Sequence, residues 1–245
     1  MGMVPNYRWM RFANLFYLMD FISGETILVD KPYGWTSFDV VNKIRWNLKQ
    51  KLKVKKIKVG HAGTLDPLAT GLLVICTGKH TKNIEQLTGA PKSYTGTILL
   101  GKTTPSYDLE TTFDATWETG HINESLLEAA RQSFIGKQQQ IPPIFSAKQI
   151  DGKRAYDYAR SGKIIEMKSN EIELFRFDIQ STRFPEIDFY IECSKGTYIR
   201  SIAADFGRKL ASGGTLISLR RTSSGDQKIE NAQSVDEWLK FIQEM

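Results

Sequence analysis

The stretch GHAGTLDPLATGLLVICTG, residues 60–78, places one carboxylate, Asp66, among small and apolar residues. The apolar run near its end, residues 72–76, predicts a buried strand. Asp followed by Pro is typical of a helix N-cap and the first helical residue, and this local pattern favours a structural cap. The neighbouring Leu65 and Leu68 would partly desolvate the carboxylate, which would then require a cation or a substrate as its partner. The stretch alone therefore leaves Asp66 as either a cap or a functional acid.

On the N-terminal side, the sequence predicts a strand followed by a helix. Residues 25–31 form a strand-like apolar run, which Pro32 and Gly34 end. Residues 36–39, Thr-Ser-Phe-Asp, have the pattern of a capping box. The helix that they open is expected to bury one apolar face, which comprises Phe38, Val41, Ile44 and Leu48.

On the C-terminal side, predicted helices and strands alternate irregularly. Helices are expected over residues 80–88, 123–135, 198–211 and 234–243, and strands over residues 93–100, 171–182, 187–193 and 215–219. Several neighbouring strands are spaced as hairpins. We therefore expect an α/β (α+β) fold with a mixed, largely antiparallel sheet and packed helices, and not a regular βαβ array. A chain of 245 residues can bury a sizeable core, and one domain is expected over residues 19–245.

The N-terminal segment does not fit a membrane anchor. Arg11, Asn14 and Asp20 interrupt its apolar residues, so it falls short of the roughly 20 apolar residues that a membrane span needs. It also lacks a clean signal-peptide pattern. Residues 1–18 are expected to be an extension of uncertain order, and Met19 is a candidate start.

The cysteines and histidines do not indicate a metal site. Cys76 and Cys193 each end an apolar run and are too few for a disulfide framework, so buried thiols in a reducing, cytoplasmic compartment are expected. His61, His80 and His121 lack the spacings of Cys/His zinc sites. We expect no bound metal.

The excess positive charge of the chain lies in one segment. The chain has 33 Lys and Arg against 27 Asp and Glu, a net charge of +6, and residues 43–58 contain eight basic and no acidic side chains. Such a run is usually a solvated surface, but clustered cations also bind a nucleic-acid backbone by releasing its counterions. Charge alone leaves both interpretations open. The candidate backbone contacts are Lys43, Arg45, Lys49, Lys51, Lys53, Lys55, Lys56 and Lys58.

Residues 96–103, GTILLGKT, match the pattern of a phosphate-binding P-loop, but the context argues against one. A P-loop needs a flexible loop between a strand and a helix. Here the intervening Thr-Ile-Leu-Leu favours a strand, and the Thr-Pro-Ser that follows starts no helix. We expect a strand end at this position and no nucleotide site.

Three further residues lie where functional side chains often collect. Arg200 begins a predicted amphipathic helix after a strand and a glycine turn. A cation is mildly unfavourable near a helix N-terminus, so a nearby anion such as Asp66 would explain it better. Lys31 and Tyr94 lie at predicted strand ends. Each residue taken alone is more often structural than functional.

Six segments, taken together, resemble the TruB-type family of tRNA pseudouridine synthases. They occur in the family's order and cover most of residues 25–225, so the resemblance is specific. It implies the pseudouridine synthase catalytic fold and isomerisation of uridine 55 in the TΨC arm of tRNA. The segments are VDKPYGWTSFDVV (29–41), GHAGTLDPLATGLLVICTG (60–78), KSYTG (92–96), QQIPPIFSAKQIDGKRAYDYAR (139–160), CSKGTYIRSIAADFG (193–207) and LISLRRTSSG (216–225).

The resemblance implies that Asp66 is the catalytic carboxylate. It would attack C1′, add to C6 or take the C2′ proton, and all three routes need an ionised acid beside a flipped base. Arg200 would pair with Asp66 and keep it ionised. Tyr94 would stack on the target base and help to remove the C5 proton. The reaction retains every atom of the uridine, so no cofactor is implied.

The resemblance also implies substrate contacts. His61 would support the flipped base, Tyr198 and Leu219 would line the uracil pocket, and Lys31 would brace the site or contact phosphate. The segment 43–58 then becomes a tRNA contact. The glycines of residues 60–71 would allow a nucleotide to approach closely.

The end of the sequence favours a stand-alone enzyme. About 20 residues follow the last motif, which is too short for the C-terminal RNA-binding domain of the PUA type that many bacterial members carry. We expect one closing helix, no PUA domain, no obligate protein partner and a monomer. The alternative is a non-enzymatic protein that binds and refolds the tRNA elbow.

Overall fold

The structure, a computed structural model, describes residues 19–146, 149–150, 153–154 and 167–245. The predicted extension over residues 1–18 and part of the motif over residues 139–160 lie outside the described residues. The described chain forms two compact units. Unit one comprises the described residues up to Pro67 with Gly71–Thr88 and Ile229–Met245, and unit two comprises Leu68–Thr70 and Gly89–Lys228. The single domain expected over residues 19–245 stays a prediction.

Five α-helices and fourteen strands are present in the described residues. The helices are α1 (Ser37–Leu52), α2 (Ile84–Gly89), α3 (Glu124–Gln132), α4 (Ile199–Lys209) and α5 (Val235–Glu244). The strands are β1 (Thr26–Lys31), β2 (Val59–His61), β3 (Thr70–Thr77), β4 (Lys92–Leu100), β5 (Lys102–Thr103), β6 (Ala115–Thr116), β7 (Gly136–Gln140), β8 (Gln149–Ile150), β9 (Lys153–Arg154), β10 (Asn170–Arg183), β11 (Glu186–Cys193), β12 (Gly214–Ser224), β13 (Gln227–Lys228) and β14 (Gln233–Ser234).

In unit one, β1 is the central strand. It pairs antiparallel with β3, with Lys31 opposite Gly71, and in parallel with β14. β2 pairs antiparallel with the far end of β3, where His61 lies opposite Ile75. These pairings bring both ends of residues 60–78 into strands, so the loop that carries Asp66 is held at each end.

Helix α1 begins with the predicted capping box. The Thr36 hydroxyl accepts a hydrogen bond from the Asp39 N–H, and the Asp39 carboxylate accepts one from the Thr36 N–H. The predicted buried face is confirmed at Val41, Ile44 and Leu48, but Phe38 is 58% exposed. That prediction was wrong because the buried arc is centred on Val40 and Val41, and Phe38 lies outside it.

Helix α5 closes the core of unit one. Ser234 and Glu237 form a second capping box, and Trp238 and Ile242 join the apolar side chains of α1 and β1 in one hydrophobic cluster. The buried Trp238 indole donates a hydrogen bond of 2.9 Å to the Leu28 carbonyl. The predicted closing helix over residues 234–243 is thus confirmed as an element of this core.

In unit two, antiparallel strands follow the order β12, β4, β11, β10 and β7. Alternation along β4 directs Tyr94 and Thr95 to opposite faces. On one face, three phenylalanine rings, from the segment after α3, from α4 and from β10, pack edge to face with centroids 5.5–6.0 Å apart. These rings are Phe134, Phe206 and Phe177.

Most of the predicted features agree with the structure. The mixed, largely antiparallel α/β fold is confirmed. Residues 96–103 lie in β4, a turn and β5, so the strand end predicted at this position is confirmed. Cys76 and Cys193 are free and buried, as predicted. The helix predicted over residues 80–88 consists of a 3₁₀ turn (Gly78–Asn83) followed by α2.

Among the described residues, no helix is both long enough and apolar enough to cross a membrane.

Candidate active site

Asp66 lies in a loop between β2 and β3. Residues 67–68 form a turn and β3 begins at Thr70, so in the described chain no helix starts at Asp66. The interpretation of Asp66 as a helix cap was therefore wrong, because the Asp-Pro pair opens a turn here and not a helix. The Asp66 side chain is half-buried, between the buried Leu65 and the half-buried Pro67.

Ser37 fixes the residue before Asp66. The Leu65 N–H donates to the Ser37 hydroxyl at 2.8 Å, and that hydroxyl donates to the Leu65 carbonyl at 3.0 Å. Ser37 is the first residue of α1 and is 2% exposed. One buried hydroxyl therefore ties the Asp66 loop to the N-terminus of α1 through both backbone polar groups of Leu65.

Lys31 fixes the residue after Asp66. Its ammonium donates to the carbonyls of Trp35, Pro32 and Pro67 at 2.6, 2.9 and 3.3 Å. The Gly34 N–H also donates to the Pro67 carbonyl, at 2.8 Å. Lys31 is fully buried, so this geometry supports bracing and not contact with phosphate.

The glycines around Asp66 have local structural reasons. Gly63 and Gly71 have φ values of +103° and +99°, a region that favours glycine over other residues. A Cβ on Gly60 would lie 2.7 Å from the Cδ1 atom of Ile84. His61 is half-buried at the end of β2, directly before this loop.

In unit two, the predicted uracil-pocket residues lie on two adjacent strands and a helix cap. Tyr94 is 8% exposed in β4, opposite Arg221 of β12. Leu219 of β12 lies opposite Gly96. Tyr198 is the N-cap residue of α4. The Tyr198 N–H donates to Oε1 of Gln140 at 2.8 Å, and Nε2 of Gln140 donates to the Tyr198 carbonyl at 3.1 Å. Gln140 lies within the motif at residues 139–160, where nothing in the local pattern indicates this contact with Tyr198.

Arg200 is held in unit two by a buried acid that the sequence analysis missed. Arg200 is 4% exposed in the first turn of α4. Its Nη1 donates to the Ser106 carbonyl at 3.2 Å, and its Nε lies 3.6 Å from Oδ2 of Asp108. Asp108 is 5% exposed. The predicted pairing of Arg200 with Asp66 stays a prediction.

The Asp108 carboxylate is positioned by its own loop. Its Oδ1 accepts from the Glu110 N–H at 3.0 Å, and its carbonyl accepts from the hydroxyls of Thr104 and Ser106. The Tyr107 carbonyl accepts from the Leu216 N–H, which joins this loop to β12. A single acid in a Thr- and Ser-rich loop gives no sequence signal that identifies its partner.

Lys92 is a second buried cation of unit two. It begins β4, is 6% exposed, and donates to the Ala90 carbonyl at 2.6 Å. Burial, with a smaller contribution from the nearby Arg221 guanidinium, lowers the pKa of Lys92 to about 8. Burial also raises the pKa of the neighbouring Cys193 thiol to about 11, which keeps this thiol protonated at neutral pH.

Unit two also contains an open polar pocket of about 390 Å³. It includes Leu219 but not Tyr94, Tyr198 or Arg200. Its polar lining comprises Thr70, Thr95, Thr97, Asp188, Ser218 and Arg220.

The eight predicted backbone contacts fall into two groups. Arg45 donates to the carbonyl of Val59 and to Oδ1 of Asn42, and Lys51 donates to the Gln243 carbonyl at 2.8 Å. These two cations therefore have structural partners. In the part of the chain that the structure describes, the side chains of the other six form no hydrogen bond or ion pair. These six are Lys43, Lys49, Lys53, Lys55, Lys56 and Lys58.

Solved structures resemble the fold of this chain. A chain in a crystal structure of a Cbf5–Nop10–Gar1 complex has a TM-score of 0.65 and 25% identity, covering 91% of this chain and 60% of that chain. A chain in the archaeal box H/ACA sRNP Nop10–Cbf5 complex has a TM-score of 0.63 and 24% identity, covering 91% and 55%. This chain therefore spans little more than half of their length, and the likeness shows the fold alone.

Sequence comparison shows the family. Residues 49–199 match the model described as TruB family pseudouridylate synthase, N-terminal domain. A tRNA pseudouridine synthase B of Phocaeicola vulgatus is 53% identical over 224 residues, covering 90% of this chain and 95% of the relative. One of Flavobacterium johnsoniae is 53% identical over 214 residues, covering 87% and 93%. The chain therefore belongs to the TruB family of pseudouridylate synthases, enzymes that isomerise uridine to pseudouridine.

Proposed function

We propose that this enzyme modifies tRNA, at uridine 55 of the TΨC arm, with Asp66 as the catalytic carboxylate. The observation that carries the proposal is the anchored loop of unit one. Ser37 and Lys31 hold the residues on either side of Asp66 through their backbone groups, so the position of Asp66 is fixed by its two neighbours. The names of the curated relatives, tRNA pseudouridine synthase B, support tRNA as the substrate.

The reaction breaks the N1–C1′ bond, turns the uracil and forms a C5–C1′ bond. The C5 proton then leaves and N1 takes up a proton, so the product is an isomer of uridine. In the proposed mechanism, the ionised Asp66 carboxylate attacks C1′, adds to C6 or removes the C2′ proton. Each route requires the uridine outside its stack, which costs a few kcal/mol in unstacking. Phosphate contacts to the basic segment and stacking on Tyr94 offset that cost.

The remaining site residues have supporting roles in this proposal. Arg200 keeps the acid ionised and oriented, and His61 supports the flipped nucleotide. Tyr94 stacks on the uracil and assists the loss of the C5 proton, while Tyr198 and Leu219 line the uracil pocket. Tyr94 of β4 and Leu219 of β12 lie on adjacent, paired strands two residues apart in register, which supports placing both at the uracil.

Reducing conditions are expected for the enzyme. Both of its cysteines are free and buried, which fits the cytoplasm, where tRNA is modified. The monomeric state and the absence of an obligate protein partner stay predictions.

The test is site-mapped pseudouridine detection on tRNA treated with wild type and Asp66→Asn. We expect Asp66→Asn to reduce conversion of uridine 55 by a factor of about 10³ or more, because the essential carboxylate is lost. Its affinity for tRNA should change less than about threefold. Asp226→Asn, at an exposed turn, is the matched control and should convert normally.

Full turnover by Asp66→Asn would refute the catalytic assignment. Tight tRNA binding without conversion by saturating wild type would favour the alternative, a protein that binds and refolds tRNA. Conversion at another uridine only would overturn the assignment of position 55 and retain the enzyme class.

A further inference from the structure

The outward face of α1 carries an exposed indole. Trp46 is 59% exposed, and it does not belong to the hydrophobic core cluster of unit one. Trp238 of the same unit shows the contrast, because it is 4% exposed and its ring nitrogen donates to a backbone carbonyl. A large aromatic ring left on a helix surface contributes little to folding, so its environment decides what it can bind.

Lysines flank the Trp46 ring on the same helix face. Lys43 and Lys49 are three residues before and after it, and residues at this spacing are neighbours on a helix surface. Lys53 ends α1 seven residues after Trp46. Residues 40–65 contain no Asp or Glu. The acid that precedes this range, Asp39, lies two turns before Trp46, and its carboxylate accepts from the Thr36 N–H and hydroxyl in the capping box. An aromatic ring between cations complements a polyanion that also offers flat apolar surfaces.

Phe38, the other exposed ring of α1, does not have this arrangement. The Arg45 guanidinium lies 5.8 Å from its ring centroid and is also bonded to the Val59 carbonyl. Arg45 and Phe38 therefore contact each other. Trp46 differs from Phe38 in this respect. Its neighbouring cations, Lys43 and Lys49, form no ion pair in the described part of the chain.

We propose that Trp46 is a stacking platform for an unpaired or helix-terminal base of the RNA substrate, with Lys43 and Lys49 against the flanking phosphates. Base-on-aromatic stacking supplies affinity with little dependence on base identity, and the lysines supply the salt-dependent part. This inference rests on the proposed tRNA function. It assigns to α1 a base contact in addition to the backbone contacts expected for its cations.

The experiment measures tRNA affinity as a function of salt for Trp46→Ala, Trp46→Phe and Trp46→Leu. Trp46→Ala removes the ring on which one base would stack, and it is expected to weaken tRNA affinity by between about 5-fold and 100-fold. Trp46→Phe should retain most of the affinity, whereas Trp46→Leu should lose it, because a leucine side chain cannot stack. The slope of log affinity against log salt should stay unchanged in all three variants.

Two further variants act as controls. In Lys43→Gln/Lys49→Gln, we expect the salt slope to decrease by about two, which separates phosphate contacts from stacking. Trp117→Ala is the matched tryptophan control, because Trp117 is 49% exposed in unit two and lies near Asp114 and Glu118. It should bind tRNA as wild type does.

Three outcomes would overturn the proposal. Unchanged affinity in Trp46→Ala would remove RNA as the occupant and leave an acidic protein surface as the alternative. Equal affinity of Trp46→Leu and Trp46→Phe would show an apolar contact and not stacking. An equal loss of tRNA affinity in Trp46→Ala and in Trp117→Ala would show that the effect is not specific to Trp46. Conversion of tRNA by wild type, measured in parallel, tests the proposed function separately, so failure of the stacking proposal leaves that function standing.

Discussion

The Asp66 segment of unit one and the Arg200 segment of unit two are anchored by different kinds of interaction. Around Asp66, a buried hydroxyl and a buried ammonium bond backbone groups of the adjacent residues, Leu65 and Pro67. Around Arg200, the anchoring group is itself a charge, the buried carboxylate of Asp108. The first arrangement positions a residue through its neighbours, and the second positions a residue through its own functional group.

The difference has consequences for tolerance to change. Backbone anchoring spreads the hold on Asp66 over Ser37, Lys31 and Gly34, so loss of one partner leaves the others in place. Loss of Asp108 removes a buried countercharge that lies 3.6 Å from the buried Arg200, and weaker compensation of a buried charge is costly in a protein. The Arg200 segment is therefore expected to be the more fragile of the two.

The largest effect is expected for Asp108→Asn. The amide preserves the shape and can still accept from the Glu110 N–H, but it removes the negative charge that lies 3.6 Å from Arg200. Unit two should lose about 3–5 kcal/mol in free energy of unfolding, as measured by urea titration. Pseudouridine formation should fall with it, because Arg200 loses one of the groups that hold its guanidinium in place.

Asp114→Asn is the matched control, since Asp114 is an exposed acid of the same loop region. Its unfolding free energy should stay within about 0.5 kcal/mol of wild type. A similarly small change for Asp108→Asn would show that Arg200 does not depend on this carboxylate, and the contrast between the two segments would disappear.

A smaller effect is expected for Ser37→Ala. The substitution removes both hydrogen bonds to Leu65 and leaves a buried N–H and carbonyl to find other partners, at a cost of about 1–3 kcal/mol. Conversion of uridine should decrease while tRNA affinity is retained, because the loop that carries Asp66 loosens. Urea titration and single-turnover conversion measure the two effects.

Ser125→Ala, at an exposed serine of α3, controls for the loss of a hydroxyl. A stability loss for Ser37→Ala that exceeds the loss for Asp108→Asn would reverse the comparison and make the Asp66 segment the more fragile one.

The features of the fold that were predicted correctly from the sequence depend on residues close together in the chain. The capping box of α1 involves residues three apart, and the strand after Asp66 is a continuous apolar run, so both were predictable. The burial of Phe38 was predicted wrongly because helical spacing does not specify the width of the buried arc. Asp-Pro was interpreted as a helix start because a turn and a cap share this dipeptide.

The partners of the site residues were less predictable because they are distant in sequence. The position of Arg200 predicts an anionic partner, for which Asp66 was the candidate in the sequence. The structure adds Asp108, which lies in a loop without a distinguishing pattern. Lys31 was expected at the site, but its three carbonyl partners depend on the tertiary arrangement of two loops. The basic segment gave eight candidate contacts, and only packing separates Arg45 and Lys51 from the rest.

The smallest expected effect concerns the two buried lysines, one in each unit. The Lys31 ammonium donates to three carbonyls, and the Lys92 ammonium donates to the Ala90 carbonyl and lies near the Arg221 guanidinium. Because the folded-state pKa of Lys92 is lowered to about 8 from the ordinary lysine value of 10.5, the unfolded chain binds more protons between these pH values. Stability therefore rises with pH in this window.

The difference in unfolding free energy between wild type and Lys92→Met isolates this contribution. Between pH 7 and pH 9, wild type should gain on the order of 1 kcal/mol relative to Lys92→Met, as Lys92 loses its proton in the folded state but not in the unfolded one. The raised pKa of Cys193 acts in the opposite direction above pH 9, and it largely cancels because both proteins contain this thiol. Lys228→Met, at an exposed lysine, tests whether loss of any positive charge gives the same trend. A difference in unfolding free energy between wild type and Lys92→Met that does not change with pH would contradict this prediction. It would mean that Ala90 and other neighbours stabilise the Lys92 ammonium well enough to offset its burial. The three carbonyls around Lys31 are expected to have this effect on the Lys31 ammonium.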